Sequence, residues 1–138
     1  MRIAIIDGQG GGVGRALIAE LKPRLPAGHT VVALGANALA TAAMLKAGAD
    51  EGATGENAVV YNCARADVIA GPIGIVLANS MLGELTPAMA RAVAESPAEK
   101  VLVPMEKCRA HVAGAKPQTM QQAVEQAAAL ILALVKGE

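Results

Sequence analysis

The sequence predicts an α/β domain built as a three-layer sandwich, a mostly parallel sheet with helices on both faces. Three observations carry this. Short apolar runs alternate with helix-period segments along the chain, an order that implies parallel strands joined by crossover helices. Alanine supplies 31 of the 138 residues and Phe and Trp are missing, so the core must be closely packed backbone filled by Leu, Ile, Val and Met. The first apolar run feeds a loop in which five of the seven residues Gly8–Gly14 are glycine, and a helical pattern then begins.

Each element has its own signal. Arg2–Ile6 is a compact apolar run suited to a strand buried on both faces. Helical spacing follows through Val13, Leu17 and Leu21 and stops at Pro23 and Pro26. Thr30–Leu34 is the second strand. Asn37 caps the next helix, whose apolar line is Leu39, Ala43 and Ala47, with Gly48 at the C′ position. Asp50–Gly55 reads as a loop. The segment after it fits two elements: Thr54 or Asn57 can cap a short helix through Ala64, and Val59-Val60-Tyr61 suits a strand equally well.

Asp67–Ala70 is the next strand, with Gly71–Gly74 turning out of it. Ile75–Ala78 is an apolar run of either type. Thr86-Pro87 is an N-cap with proline at N1, and its helix runs to Glu95. Lys100–Val103 is a strand stopped by Pro104, and Arg109–Ala113 reads as a short last strand at the sheet edge. Thr119 with Gln122 forms a capping box for the closing helix, whose stripe is Met120, Val124, Ala127, Ile131 and Leu134.

Length and composition bound the function. Residues 1–138 make a single domain. Lys+Arg and Asp+Glu both number 12, so the formal charge is zero. With no basic run and Tyr61 as the sole aromatic, nucleic acid and anionic membrane are excluded as partners. The start Met-Arg-Ile-Ala-Ile-Ile lacks the features of a signal peptide and no 18-residue apolar run occurs, so a cytoplasmic protein is expected. Two cysteines are no disulfide framework, and with two scattered histidines they give no metal-ligand spacing, so no metal is expected. An apolar-rich chain with 17% charged residues has surface to hide, which predicts a homodimer or larger homo-oligomer.

The glycine loop points to the ligand. A strand that feeds a glycine loop opening a helix aims free N–H groups and the positive helix end at one spot, which suits phosphate. Gly8, Gln9, Gly10, Gly11, Gly12, Val13 and Gly14 are therefore candidate binding residues. In a parallel sheet the loops after other strands meet at the same edge, which adds Gly35, Asn37, Gly71 and Gly74. Reactive groups are individually weak. Cys108 reads as a nucleophile without an identifiable base or as an inert buried thiol. His111 is an edge-strand side chain and His29 a loop residue. Asn79, Ser80 and Glu84 precede the Thr86 helix, where Glu84 is either an acid/base or part of the helix entry. Asp7 is awkward, because a carboxylate beside a phosphate repels it unless turned away or paired.

Three loop templates separate on spacing. The fingerprint G-x-G-x-x-G starts at Gly8 and Gly10 but lands on Val13. The nucleotide loop of ParA-like ATPases aligns with Gly10–Ala16, yet Arg15 replaces its phosphate-reaching lysine and Ala16 has no hydroxyl for Mg²⁺. Both departures argue against ATP hydrolysis by that route. G-x-x-x-G-x-G fits Gly8, Gly12 and Gly14 without a gap. Here the chain resembles the short-chain dehydrogenase/reductase family, which implies that Gly8 allows the turn, Gly12 close approach to a pyrophosphate and Gly14 helix–strand packing, with NAD or NADP as cofactor. The chain departs from that family at Asp7, where a small hydroxyl residue is usual. Leu34-Gly35-Ala36-Asn37 offers neither a ribose-binding acid nor a 2′-phosphate arginine, so NAD and NADP are not distinguished. Tyr61-Asn-Cys-Ala-Arg65 mimics the family's Tyr-x-x-x-Lys spacing, but it stands too early and ends in Arg.

Nearly the whole chain is also similar to an uncharacterised family of small bacterial proteins, classed as a domain of unknown function. The resemblance lies in Asp7–Gly12, Ala33–Thr41, Gly52–Asn57, Gly71–Ile75 and Asn79–Glu84, and it implies a Rossmann-like fold without an activity. The function expected from the sequence is binding of a phosphate-bearing small molecule, a nucleotide or NAD(P)-like dinucleotide, through Gly8–Gly14. A small NAD(P)-dependent oxidoreductase and a non-catalytic sensing or oligomeric accessory protein are the alternatives.

Overall fold

The computed structural model describes residues 1–137. Its strands are β1 (Arg2–Asp7), β2 (Thr30–Gly35), β3 (Glu51–Thr54), β4 (Val68–Pro72) and β5 (Glu99–Val103). All pair in parallel, in the order β3-β2-β1-β4-β5. The helices are α1 (Gly12–Leu21), α2 (Ala38–Lys46), α3 (Glu56–Cys63), α4 (Pro87–Glu95) and α5 (Met120–Lys136). Among the described residues no helix is long and apolar enough to cross a membrane.

Alternation along β1 builds both layers. Ile3 and Ile5 face a core shared with Leu17, Ile18 and Leu21 of α1, Met44 of α2, and Val124, Ala128 and Ile131 of α5. Ala4 and Ile6 face the opposite core, with Val59 and Cys63 of α3 and Met89 and Val93 of α4. The sheet is thus buried on both sides, as its continuous apolar strands require. The strand order reverses between β1 and β4, so the crevice beyond their carboxyl ends is where such sheets hold ligands.

Local signals explain most boundaries. Asn37 caps α2 by accepting from Ala40 N at 2.9 Å, and Thr86 caps α4 by accepting from Met89 N at 3.2 Å. The Thr119 capping box closes with Gln122 Oε1 accepting from Thr119 N at 2.9 Å. Gly48, with φ of 123°, follows α2 as its C′ residue.

Three expectations need correction, and one reading left open is decided. The loop expected at Asp50–Gly55 contains β3; its Glu-Gly-Ala-Thr sequence has no apolar alternation and becomes a strand only by pairing with Val32–Gly35. The ambiguous segment is α3, with Val60 and Tyr61 on its exposed side. Arg109–Ala113 is not a strand: a single 3₁₀ turn at Glu106–Cys108 follows β5, and residues 111–122 are all exposed. In α2 the buried side is Ala40, Thr41 and Met44, while Leu39 is 77% exposed. Alanine-rich helices leave the choice of face to their few large side chains, and Met44 outweighs Leu39 by reaching Gly14. The apolar run at Ile75–Ala78, open at the sequence level, falls across a 3₁₀ turn at Ile73–Val76.

Candidate functional site

β1 ends in the site. Asp7 is 5% exposed, and its carboxylate lies against the first turn of α1. Oδ1 accepts from Gly8 N at 2.8 Å and Oδ2 from Gly14 N at 2.7 Å. The side chain thereby takes the helix-end position that suits an anion. Burial pushes the Asp7 carboxyl above its ordinary value near 3.8, against the pull of the Gly14, Gly8 and Val13 amides. The charge that looked misplaced in the sequence is paired with backbone.

The glycines divide by what surrounds them. Gly11 N donates to Gly8 O at 2.9 Å in a tight turn, and Gly11, with φ of 71°, rests against the Ala40 backbone. Gly14 packs on Asp7 Cβ and Met44 Sδ, a helix–strand contact that a Cβ would fill. Gly8 leaves room for Glu84 Oε1 and Met81 Sδ, which a Cβ there would meet at 2.7 and 2.8 Å. Gly10 and Gly12 are different. A Cβ on either meets nothing within 4 Å, and neither has a left-handed φ. Their N–H groups take no partner among the described residues. Internal packing gives no reason for glycine at these two positions.

The loop tip is clasped from the β2 side. Glu84 Oε1 accepts from Gln9 N at 2.5 Å, and Oε2 accepts from Asn37 Nδ2 at 2.6 Å. Asn37 Nδ2 also donates to Gln9 O at 2.9 Å. Glu84 belongs to a strap over residues 77–85, closed by Asn79 N donating to Leu85 O at 2.7 Å. Within it Asn79, Met81 and Leu82 have φ of 65°, 58° and 58°, left-handed conformations that side chains adopt at a cost.

Between the loop and the ends of β4 and β5 lies a cavity of about 490 Å³, within the range of small-molecule sites. Asp7, Gly8, Gln9, Gly10, Gly12 and Val13 form one wall. Pro72, Met81, Leu82, Met105, Lys107 and Cys108 form the other. Lys107 is the one cationic side chain among these, and Leu82, 99% exposed, stands at the mouth.

Of the residues singled out by sequence, Gly8, Gln9, Gly10, Gly12 and Val13 come together on the cavity wall. Gly11 and Gly14 lie behind it in packing contacts, and the Asn37 side chain is engaged in the clasp. Gly35 is under α2, where a Cβ would overlap Thr41 Oγ1 and lie 2.6 Å from Thr41 N. Gly71 is pressed on the Ile6 carbonyl. Gly74 backs the far wall; a Cβ there would meet Cys108 Sγ at 2.9 Å, and its carbonyl accepts from Ser80 Oγ at 2.6 Å. His111 is in the exposed segment after β5, and His29 Nδ1 meets the amino terminus at 3.0 Å. Burial pushes the Cys63 thiol up to about 11, so it is an inert core residue. Arg65 stacks on Tyr61 at 3.6 Å on the surface of α3.

Of the far wall, the sequence reading named Cys108 and the Gly71–Gly74 turn but not Met105 or Lys107. Met105, Lys107 and Cys108 follow the carboxyl end of β5, the same topological position as the other loops. Met105 and Lys107 carry no signal of their own because the next residues read as another strand, and Cys108 reads only as a lone thiol. Met81 and Leu82 lie inside the Asn79–Glu84 segment, whose polar ends drew attention away from its apolar middle.

The burial of Asp7 sets a pH dependence. Its folded pKa is raised, so the stability it contributes is present in full below the unfolded value near 3.8 and is lost as pH rises through the folded value. The unfolding free energy of wild type minus that of Asp7→Asn is expected to fall across this range and then level off. Urea titrations of both proteins at several pH values check it, and a flat difference would refute it.

A five-stranded parallel sheet ordered β3-β2-β1-β4-β5, with a glycine loop opening α1 at its switch point, defines a doubly wound, Rossmann-like α/β domain. Over 99% of this chain and 94% of the other, the structure matches the crystal structure of a dodecameric FMN-dependent UbiX-like decarboxylase from Escherichia coli O157:H7, with a TM-score of 0.55 and 15% identity. That likeness shows a shared fold. The chain belongs to the DUF3842 family, a domain of unknown function, whose model matches residues 2–136. No curated protein matches the sequence.

Proposed function

We propose that this protein binds a phosphate-bearing nucleotide cofactor in the cavity between the Gly8–Gly14 loop and the ends of β4 and β5. The observation that carries the reading is the pair Gly10 and Gly12, open on the cavity wall with unpartnered N–H groups and no internal need to be glycine. Asp7 keeps the Gly14 amide for itself, so the phosphate falls to Gly10 and Gly12, with Lys107 as the cation of the opposite wall. Met81, Leu82 and Met105 give the rest of the ligand an apolar bed. The fold shared with an FMN-dependent protein makes FMN the first ligand to try, and the G-x-x-x-G-x-G spacing makes NAD(H) and NADP(H) the second.

A thermal-shift and calorimetric screen of these ligands tests the reading. A ligand at 100 times its dissociation constant stabilises the fold by about 2.7 kcal/mol; no response to any of them would reject it. The catalytic form of the reading is an oxidoreductase, and turnover of NAD(P)H with small carbonyl compounds is its assay. Self-association belongs to the same proposal, supported by the exposed Leu39, Leu82 and Leu130. Light scattering at micromolar concentration should give at least a dimer mass, and a monomer mass would overturn this part.

A further inference from the structure

We infer that the clasp of Glu84 on Gln9 and Asn37 makes the site prefer mononucleotides over the matching dinucleotides; this rests on the nucleotide reading above and ranks FMN ahead of NAD(H) and NADP(H) within it. In doubly wound sheets a dinucleotide lies across the glycine loop, and its second ribose is held by an acidic side chain near the end of β2. In this protein the end of β2 carries no acid of its own, and the carboxylate found there comes from the strap before α4. Both Glu84 oxygens are committed, Oε1 to Gln9 N at 2.5 Å and Oε2 to Asn37 Nδ2 at 2.6 Å. Asn37 cannot turn aside, because its Oδ1 accepts from Ala40 N at 2.9 Å as the cap of α2. The direct bond from Asn37 Nδ2 to Gln9 O, 2.9 Å, closes the same passage at the backbone.

The route from the Gly10 and Gly12 amides toward β2 is therefore crossed by three hydrogen bonds and a negative charge. A second phosphate on that side meets repulsion as well as a steric block. The route toward β4 and β5 is open, and the 490 Å³ cavity lies there. Gly8 fits the same account. Its missing side chain is the space that admits Glu84 Oε1 and Met81 Sδ, so glycine at this position serves the clasp as well as the turn.

The test compares matched pairs, FMN against FAD and nicotinamide mononucleotide against NAD, by calorimetry on the full chain. Wild type is expected to prefer the mononucleotide of a pair at least tenfold. Glu84→Ala and Glu84→Gln should reduce that ratio tenfold or more, with circular dichroism melts reporting that each variant is folded. Gly8→Ala, which displaces the Glu84 carboxylate without removing it, should lower the ratio in the same direction. Loss of affinity for both members of a pair in equal measure is what a purely structural Glu84 would give, and it would overturn the inference. Equal affinity of wild type for both members would overturn it too while leaving the nucleotide reading standing. If neither member of either pair binds wild type, the nucleotide reading falls and this inference with it.

Discussion

Gly12→Asp is expected to lower affinity for a phosphate-bearing ligand at least a hundredfold while leaving the fold as stable as wild type within about 0.5 kcal/mol. The two halves of this expectation have separate causes. Gly12 is the first residue of α1, and a side chain added there meets nothing within 4 Å. An acid in the first turn is also favourable to the helix dipole. The fold has no reason to object. The ligand does, because the new carboxylate projects into open space beside the Gly10 and Gly12 amides and repels an anion approaching them. Calorimetry with the ligand found by the screen, alongside urea denaturation, measures both halves. Binding unchanged in a folded Gly12→Asp protein would remove the phosphate from this loop.

Gly71→Ala is expected to have the opposite profile, costing about 3 kcal/mol of stability through overpacking. A Cβ at Gly71 would overlap the Ile6 carbonyl oxygen. That atom belongs to the central strand, so no flexible side chain can yield; β4 would have to move away from β1. Because β4 pairs with β5 from Val68 to Pro72, the displacement spreads to the cavity's far wall. Gly10→Ala is the matched control, since its added methyl meets nothing within 4 Å and should shift stability by less than about 0.5 kcal/mol. A Gly71→Ala midpoint equal to that of the control would contradict the packing account.

The sequence made the layered architecture legible because β1, β2, β4 and β5 are apolar enough to be recognised without their partners. Asn37, Thr86 and Thr119 announced their helices because capping is a local transaction between a side chain and the next turn. β3 was illegible for the converse reason: nothing in Glu51–Thr54 prefers a strand, and β2 imposes the conformation. The near wall of the cavity was readable from glycine density, but density alone did not separate Gly10 and Gly12, which line it, from Gly11, Gly14, Gly35 and Gly71, which do not. Only the neighbours of each missing Cβ do that. The clasp was beyond reach, since Glu84 and Gln9 are 75 residues apart and nothing local links them.

The strand order also dictates when in folding the site can exist. β1 meets β2 across 28 residues, from Arg2 to Thr30, but its contact with β4 spans 65, from Ile3 to Val68. The longer closure is entropically the harder one. The first three strands and their helices carry the whole glycine loop, yet the opposite wall begins only at Pro72 and ends at Cys108. A chain interrupted before residue 68 thus has the glycine loop and no cavity, and pocket formation marks the docking of the second half onto the first.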